Sequence, residues 1–584
     1  IIAPGGKANL LAADNPYDRF LNRNNIKMTP VEPDGSRIFL DGASRIDTSG
    51  LQGVQLSAER NLVQIDLRSN ELQDAPLQRD GFLRGKTVTV DLRKGTPLAD
   101  ITPFLNNLGR GISEKLTQAG SISLDSGGDI IAKAGSILDV SGGTIQYQQG
   151  LDRSTTLLGA DGRIYNIADA PIDINYVGFA DDYTVKSGKW GTTTIVAAPR
   201  PVLQGYAEGQ SGGTISASSP WAALQGELQA GAIPGPLQRT ETQVPKGGTL
   251  IVGEASQEIN GAETPDFRAR NILISKSIPS LPPGFNSGDT VPADARQNLL
   301  VSTDLIRLGG FSTLRLFSNG TINVPAGIDL QLAGGGAFSG LATSAISVAG
   351  NIHIVSGDVR FESRESNIQI GPDAQIDVRG RWINNSPLIF ATADNTPVLI
   401  NGGSVTLSAL KNVVAGASSR IDVSGGGWVD SNNRLTAGKG GDIHLESTGF
   451  DGGGNPLGMI SAQGKLLGYG LFEGGTLAVT APTVRIGGSP SGNAGEFWVD
   501  PVSFRQGGFA SYSLTGVNDL RIANGTQIRP QMQNRILDTS YLIRPTGSDI
   551  AAFGSLGVLD ELFRNPVSLT LASTSALSPQ GLGN

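Results

Sequence analysis

From about Asn319 to Gly488, apolar and polar residues alternate at period two, in short runs separated by glycine-containing turns. The stretches NGTINVPAGIDLQLAGGG (Asn319 to Gly336), GNIHIVSGDVRF (Gly350 to Phe361), NGGSVTLSAL (Asn401 to Leu410), GGDIHLES (Gly440 to Ser447) and GGTLAVTAPTVRIGG (Gly474 to Gly488) are of this kind. Period two sends successive side chains to opposite faces of a strand, whereas a helix repeats every ~3.6 residues. The pattern predicts many short β-strands.

Several strands share words. AGSILDVSGG (Ala134 to Gly143), DAQIDVRGRW (Asp373 to Trp382), SSRIDVSGGGW (Ser418 to Trp428) and ASRIDTSG (Ala43 to Gly50) each carry an aspartate between aliphatic or β-branched residues, followed by a turn. In RIDVSG, alternation points Ile421 and Val423 inward and Arg420 and Asp422 outward. The same register serves Leu138 and Val140, Ile376 and Val378, and Ile46. Gly425, with Gly142 in the matching place, is expected to take the positive φ of a corner.

Asp329, Asp377 and Asp422 stand 48 and 45 residues apart, and Asp47 and Asp139 stand 92 apart. A period of this size fits two turns of a parallel β-solenoid at roughly 20 to 24 residues each. Openings of the form GG-x-aliphatic at Gly127, Gly212, Gly247, Gly402, Gly440 and Gly474 start the next strand after a corner. Backbone geometry accounts for these glycines, because the Lys-Ser or Lys-Thr and helix of a phosphate loop do not follow. The expected fold class is all-β: a right-handed parallel β-helix with loop insertions and a small extra-helical subdomain.

Composition agrees. There are 80 glycines in 584 residues, and charged residues make up 17%, below the usual ~25%, so tight turns are frequent. Glycine has no strict every-third-residue period, and recurrent Ile, Leu and Val argue against disorder. A net charge of −8 without a long basic run gives no expectation of nucleic-acid binding. No apolar run reaches the ~18 residues of a membrane-spanning helix. Cysteine is absent, which rules out disulfides and thiolate chemistry and suits a bacterial exported protein. The opening IIAPGGKANL and the ending SPQGLGN are those expected of a piece of a longer chain.

Five segments follow from the pattern: a β-helix segment over 1–145, an aromatic-rich insertion or subdomain over 146–244, a mixed strand and Pro-rich excursion over 245–300, β-helix repeats over 301–499 and a C-terminal β-rich segment over 500–584. Within the first, TPLADITPFLNNLGRGISEKL (Thr96 to Leu116) places Ile101, Phe104, Leu105, Leu108 and Ile112 at helical spacing, predicting a short helix against the solenoid. A second short helix is expected at VLDELF (Val558 to Phe563).

AGSILDVSGG and ASSRIDVSGGG, with the GGDIHLES and GGTLAVTA openings, resemble the repeats of the filamentous haemagglutinin-like exoproteins of Gram-negative bacteria, the secreted partners of two-partner secretion systems. DAPLQRDGFLRGKTVTVDLRKGTPLAD (Asp74 to Asp100), YVGFADDYTVKSGKWG and GYAEGQSGGTISASSP resemble the large extra region of some members. The resemblance implies export through an outer-membrane β-barrel transporter. It also implies work at the cell surface as an adhesin or biofilm scaffold, binding a host or bacterial surface protein or a polysaccharide. The family's amino-terminal secretion domain is not identifiable in this sequence.

Several residues offer candidate chemistry beside this non-enzymatic reading. Some parallel β-helices are polysaccharide lyases, glycosidases or tail-spike-like proteins, and a hydrolase would need one carboxylate pair about 5 to 9.5 Å apart in unequal environments. Asp47, Asp139, Asp329, Asp377 and Asp422 instead recur in separate repeats with similar neighbours, as expected of side chains that bond the adjacent corner backbone. FDGGGNPLG (Phe450 to Gly458) is a solitary loop rather than a tandem calcium repeat. His353 and His444, the only histidines, alternate with aliphatics in NIHIVS and DIHLES and are expected to point outward on related strands. Neither a cofactor motif nor a nucleophile elbow is present. The aromatic insertion holds Tyr147, Tyr165, Tyr176, Tyr183, Trp190, Tyr206 and Trp221. Of these, Tyr176, Tyr183, Trp190, Tyr206 and Trp221 are the candidate ligand contacts; flat aromatic faces suit sugars or protein partners, and equally a satellite core under a long loop.

Overall fold

The protein is described from a computed structural model over residues 1–13, 34–68, 71–72, 74–102, 109–180, 183–196, 200–253, 255–259, 262–265, 269–293, 295–389 and 395–574. It is mostly β-strand, and the main sheets are parallel. Three stacks of strands dominate. The first ladder is a file of twelve, from Lys7–Ala12 through Ser121–Ser126, Thr214–Ser218 and Thr249–Val252 to Ser511–Ile522 and Ser568–Ser573. In the central region the chain leaves each first-ladder strand for one strand of a second ladder and then one of a third. Ile322–Val324, Ile346–Val348, Ile368–Ile370, Val413–Ala415 and Ile460–Ala462 belong to the second. Asp329–Gln331, Asn351–His353, Gln375–Asp377, Arg420–Asp422 and Lys465–Leu467 form the third.

Alternation sets the register. Ile352, Ile376 and Ile421 lie opposite one another on successive third-ladder strands, and Val359, Val405 and Ile443 do so on the first. All six are buried in one continuous core. A one-residue slip would turn every such side chain to the other face, so the aliphatic column fixes the pairing.

A second column runs beside it. Val567 precedes the last first-ladder strand, and the residue just before each of the first eleven is Gly6, Gly120, Gly213, Gly248, Ser312, Gly336, Gly357, Gly403, Gly441, Gly475 or Ala510. Its carbonyl accepts the amide that opens the next rung, as in Ser404 N–H to Gly357 O (3.1 Å), Asp442 N–H to Gly403 O (3.2 Å) and Thr476 N–H to Gly441 O (3.1 Å). A Cβ built on Gly403 would collide with the Gly357 carbonyl, and one on Gly441 with that of Gly403. This close approach of backbones is what the GG openings supply.

The 45-residue spacing has a different origin from the one expected. Asp377 and Asp422 pair directly on neighbouring rungs, as do Asp47 and Asp139. One rung, not two, separates each pair, and the surplus length is an excursion that includes the strand Trp382–Asn384 in the first case. The 48-residue interval from Asp329 to Asp377 does cover two rungs, as expected, although Asp329 aligns with Asn351, Gln375 and Arg420, two positions before the aspartate column.

Twice the stacking order inverts. Leu299–Ser302 follows Ile272–Ser275 in sequence yet pairs with it on the side away from Ile322–Val324. Glu496–Val499 likewise pairs with Thr476–Ile486 on the side away from Ser511–Ile522. Each is followed by a short helical element, Thr303–Gly309 or Pro501–Arg505, capped by Ser302 Oγ (to Leu305 N, 3.2 Å) and Asp500 Oδ1 (to Val502 N, 2.9 Å). The local sequences match, VSTDLIRLGGFSTLRL and VDPVSFRQGGFASYSL. In both, left-handed glycines (Gly310, φ 72°; Gly508, φ 78°) precede a buried phenylalanine, Phe311 or Phe509. These are the two places where the glycine column carries Ser312 and Ala510.

The segment boundaries shift accordingly. Leu62–Asp66 and Thr87–Asp91 leave the ladders and share a core with Thr156–Gly159 and Tyr176–Phe179, built on Ile65, Leu83, Val90, Leu157, Ile167 and Tyr176. The extra subdomain is thus assembled from two stretches, one inside 1–145. Thr214–Ser218, Trp221–Leu224 and Glu227–Gln229, assigned to the insertion, are ladder strands. Phe104, Leu105 and Leu108 of the expected first helix lie outside the described residues; Ile112–Lys115 is helical, and Ile112 is exposed. At Val558 to Phe563, only Glu561–Phe563 is helical.

The glycine column is testable. Gly403→Ala and Gly441→Ala are expected to lower the unfolding free energy by roughly 3 kcal/mol or more in urea denaturation, whereas Gly178→Ala, whose Cβ would meet nothing, changes it by less than about 0.5 kcal/mol.

Candidate functional site

Asp47, Asp139, Asp377 and Asp422 each close a third-ladder strand or its N-terminal counterpart. Each carboxylate accepts the amide two residues on: Ser49 at 3.0 Å, Ser141 at 2.9 Å, Arg379 at 3.1 Å and Ser424 at 3.0 Å. The local bond turns the chain out of the strand. Because rungs are ~4.8 Å apart, the stacked pairs bring like charges together, and an arginine neutralises each. Arg45 reaches Asp47 (2.8 Å) and Asp139 (3.3 Å). Arg379 reaches Asp377 (2.8 Å) and Asp422 (3.9 Å), while Arg420 also pairs with Asp422. Asp422 points away from the core, yet its side chain is only 2% exposed beneath these guanidinium groups.

Gly142 and Gly425 are not in the left-handed region. Their role is close approach: a Cβ on Gly142 would strike the Gln210 carbonyl, and one on Gly425 the Gly438 carbonyl. The left-handed residues stand before the strands instead, at Gly135, Asp373 and Ser418 (φ 91°, 63° and 68°), where the chain enters the rung.

The C-terminal segment folds back over this face. Asn384 Nδ2 donates to the carbonyls of Tyr541, Leu542 and Arg544 (3.2, 3.0 and 2.9 Å), and Trp382 packs edge-on against Phe553. Asp549 then lies 3.4 Å from Arg379. The result is a cleft of about 230 Å³ lined by His353, Asp377, Arg379, Arg381, Asp422 and Asp549. His353 Nε2 is 3.3 Å from Asp329 and Nδ1 is 3.8 Å from Asp377. The facing Asp377 carboxylate holds the imidazole above its ordinary pKa against the opposing effect of burial, and the Asp329 charge adds to the rise. Burial alone would raise the Asp377 carboxyl, but the facing His353 imidazole, the hydrogen bonds from Arg379 and the Arg379 charge outweigh it and hold it well below the usual range. A carboxyl held ionised in this way is not set up to donate a proton as a glycosidase acid does.

The histidines lie on different ladders, His353 on the third and His444 on the first. Asp451 in FDGGGNPLG accepts the amides of Gly453 and Asn455 (both 2.8 Å), which accounts for that loop. Among the described residues no cluster of three or more His, Asp or Glu side chains could hold a metal ion. No helix among them is long and apolar enough to cross a membrane.

The five candidate aromatics separate. Tyr176 is buried in the subdomain core and donates to the Pro171 carbonyl (2.7 Å). Tyr206 is buried, stacked on Tyr147 at 4.7 Å and covered by Arg93. Trp221 is a rung residue paired with Asp129, buried under the Pro-rich excursion, with Nε1 donating to the Ala295 carbonyl (2.8 Å). The backbone of Tyr183 pairs with Val196; its side chain lies outside the described residues. Trp190, in the turn of that hairpin, is 73% exposed beside Lys189. The sequence reading did not bring together His353, Asp377, Arg379 and Asp549. The first three were signalled by the stacked words NIHIVS and QIDVRG, whereas Asp549 carried no signal.

Two outcomes follow from the charge cluster. The contribution of the His353 pairing is fully present below about pH 6.5 and is lost as pH rises through the raised pKa. The stability difference between wild type and His353→Gln is therefore expected to be larger at about pH 5.5 than at about pH 8.5, and equal differences would remove the pairing. Asp377 is the opposite case: its contribution is present above about pH 4 and is lost as pH falls through the depressed value. Arg379→Met is expected to cost roughly 2 kcal/mol at neutral pH, below the 3 to 5 of a fully buried pair because Arg379 is 34% exposed, and less in acid; urea midpoints across pH measure it.

Compared with protein-family models, with curated proteins and with solved structures, the chain matches none.

Proposed function

We propose that the three ladders are the faces of a right-handed parallel β-helix and that the chain is a non-enzymatic segment of a large secreted or cell-surface adhesin. The observation that carries this reading is the single file of twelve first-ladder strands in common register. Each internal strand has its backbone satisfied from both sides, so the stack is stiff along its length and exposes edges chiefly at its ends. At ~4.8 Å per rung, twelve strands span about 50 Å. Such a rod holds contact surfaces away from its anchorage.

The outward carboxylates support the same reading, since they are committed to corner amides and arginines. The resemblance to the filamentous haemagglutinin-like exoproteins adds the setting: export through an outer-membrane β-barrel partner and attachment to a surface protein or polysaccharide. Among the candidate aromatics with described side chains, Trp190 is the one with an open face for such contact.

A glycan-array and cell-binding assay with polysaccharide turnover monitored tests the proposal. Binding without turnover is expected, and Trp190→Ala is expected to weaken it at least about fivefold with the unfolding midpoint unchanged. Cleavage of any polysaccharide would replace the scaffold with a carbohydrate-active β-helix enzyme.

A further inference from the structure

The cleft between the third ladder and the C-terminal segment carries hydrogen-bonding capacity that its internal pairs leave unused. Two of its carboxylates are closed to a ligand. Both oxygens of Asp377 are taken by Arg379, with Nε donating to Oδ1 (3.0 Å) and Nη2 to Oδ2 (2.8 Å). Those of Asp422 are taken by the Ser424 amide (3.0 Å) and by Arg420 Nε (3.1 Å). The third carboxylate, Asp549, is 58% exposed and spends only Oδ1, on the Ala551 amide (3.0 Å) and Arg379 Nη1 (3.4 Å). Its Oδ2 accepts no hydrogen bond among the described residues.

Guanidinium donors are left over in greater number. Arg420 bonds Asp422 through Nε and Nη2, which leaves its Nη1 group free. Arg381 is exposed at the mouth, with no carboxylate partner among the described residues. Arg535 is held over the Tyr469 ring, 5.3 Å from its centre, and makes one long bond to the Gly554 carbonyl (3.5 Å). With Arg379, four guanidinium groups thus line the cleft against three carboxylates. The C-terminal segment also supplies acceptors: Asp549 Oδ2, and the lone pairs of Ser548 Oγ, whose proton goes to the Pro545 carbonyl (2.7 Å).

This mixture narrows the ligand. A bare anion would meet Asp549 as a like charge, and a neutral sugar would cover the arginines without pairing them, which costs their hydration. A carboxylate that also carries hydroxyl groups satisfies both sets. The volume of about 230 Å³ suits one sugar ring, since drug-sized ligands take roughly 300 to 1,000 Å³. We propose that the cleft binds one residue of an acidic sugar, a hexuronate. Its carboxylate is held by the free N–H groups of Arg381, Arg420 and Arg535, and its hydroxyls donate to Asp549 and Ser548. Planar guanidinium forks match a carboxylate in geometry as well as charge, and stacking on Tyr469 orders Arg535 in advance. Because Asp377 and Asp422 are committed to their arginines, the site binds without cleaving. It rests on the cleft alone and is independent of the adhesin reading.

Calorimetry on the chain as it stands tests this with three probes: glucuronate; glucuronamide, the same sugar with a neutral amide in place of the carboxylate; and succinate, which has carboxylates without ring hydroxyls. Glucuronate is expected to bind with a Kd of about 1 mM or tighter, and each of the other two at least about tenfold more weakly. Arg381→Met is expected to weaken glucuronate at least about tenfold with the urea midpoint unchanged, and Arg381→Lys to fall between, because an ammonium lacks the fork. Trp190→Ala is expected to leave glucuronate binding unchanged, so failure here and failure of the adhesin reading are read separately. Equal binding of glucuronate and glucuronamide would overturn the proposal, since the guanidinium groups would then contribute nothing. Succinate binding as tightly as glucuronate would overturn the sugar assignment. Wild-type affinity in both Arg381→Met and Arg535→Met would place the ligand elsewhere, and no binding of glucuronate up to about 10 mM would remove the site.

Discussion

Everything in this fold rests on how closely one backbone lies on the next at the entrance to the first ladder. The carbonyls of Gly357, Gly403 and Gly441 each receive the amide that opens the following rung, in a space where a single added carbon would collide. This contact sets where each strand starts. Alternation then decides which side chains enter the core, and the other two ladders inherit their register from the first. Size is secondary, because each rung needs only its two neighbours to bury its apolar face.

The outward face solves a problem that stacking itself creates. An aspartate suits the turn out of the strand because it can hold the amide two residues on, but repetition piles carboxylates on one another. Arg45 and Arg379 relieve the repulsion from opposite ends, one two residues before its aspartate and the other two residues after. Where the C-terminal segment covers the second pair, burial strengthens every interaction, and Asp377 and Arg379 are the groups most displaced from ordinary titration there, the carboxyl downward and the guanidinium upward.

Much of this was legible in the sequence. Period two is a local signal, so Ile421 with Val423 and Ile376 with Val378 could be assigned to the interior, and Asp377 and Asp422 to the outer surface of a turn. Spacing was a poorer guide. Excursions change the chain length per rung without changing the stack, so 45 residues came to cover one rung where two were expected. The subdomain was half-hidden because Ile65 and Val90 are distant in sequence from their partners Leu157 and Tyr176. The aromatics misled for a related reason: Trp221 and Tyr206 are recognisable as recognition residues by type, but only tertiary packing decides that both are covered. The recurrence of VSTDLIRLGGF as VDPVSFRQGGF is a sequence signal of the inverted rungs, weakened by the distance between the two copies along the chain.

The inverted rungs constrain the order in which the molecule can assemble. A stack in strict sequence order can grow as the chain emerges from one end, each strand settling on the last. Ile272–Ser275 cannot do this, because Leu299–Ser302, which follows it, must settle beneath it. Growth therefore pauses with an incomplete edge until the later strand arrives, and it pauses again at Glu496–Val499. The two inversions divide assembly into blocks, each sealed by a strand that arrives out of turn.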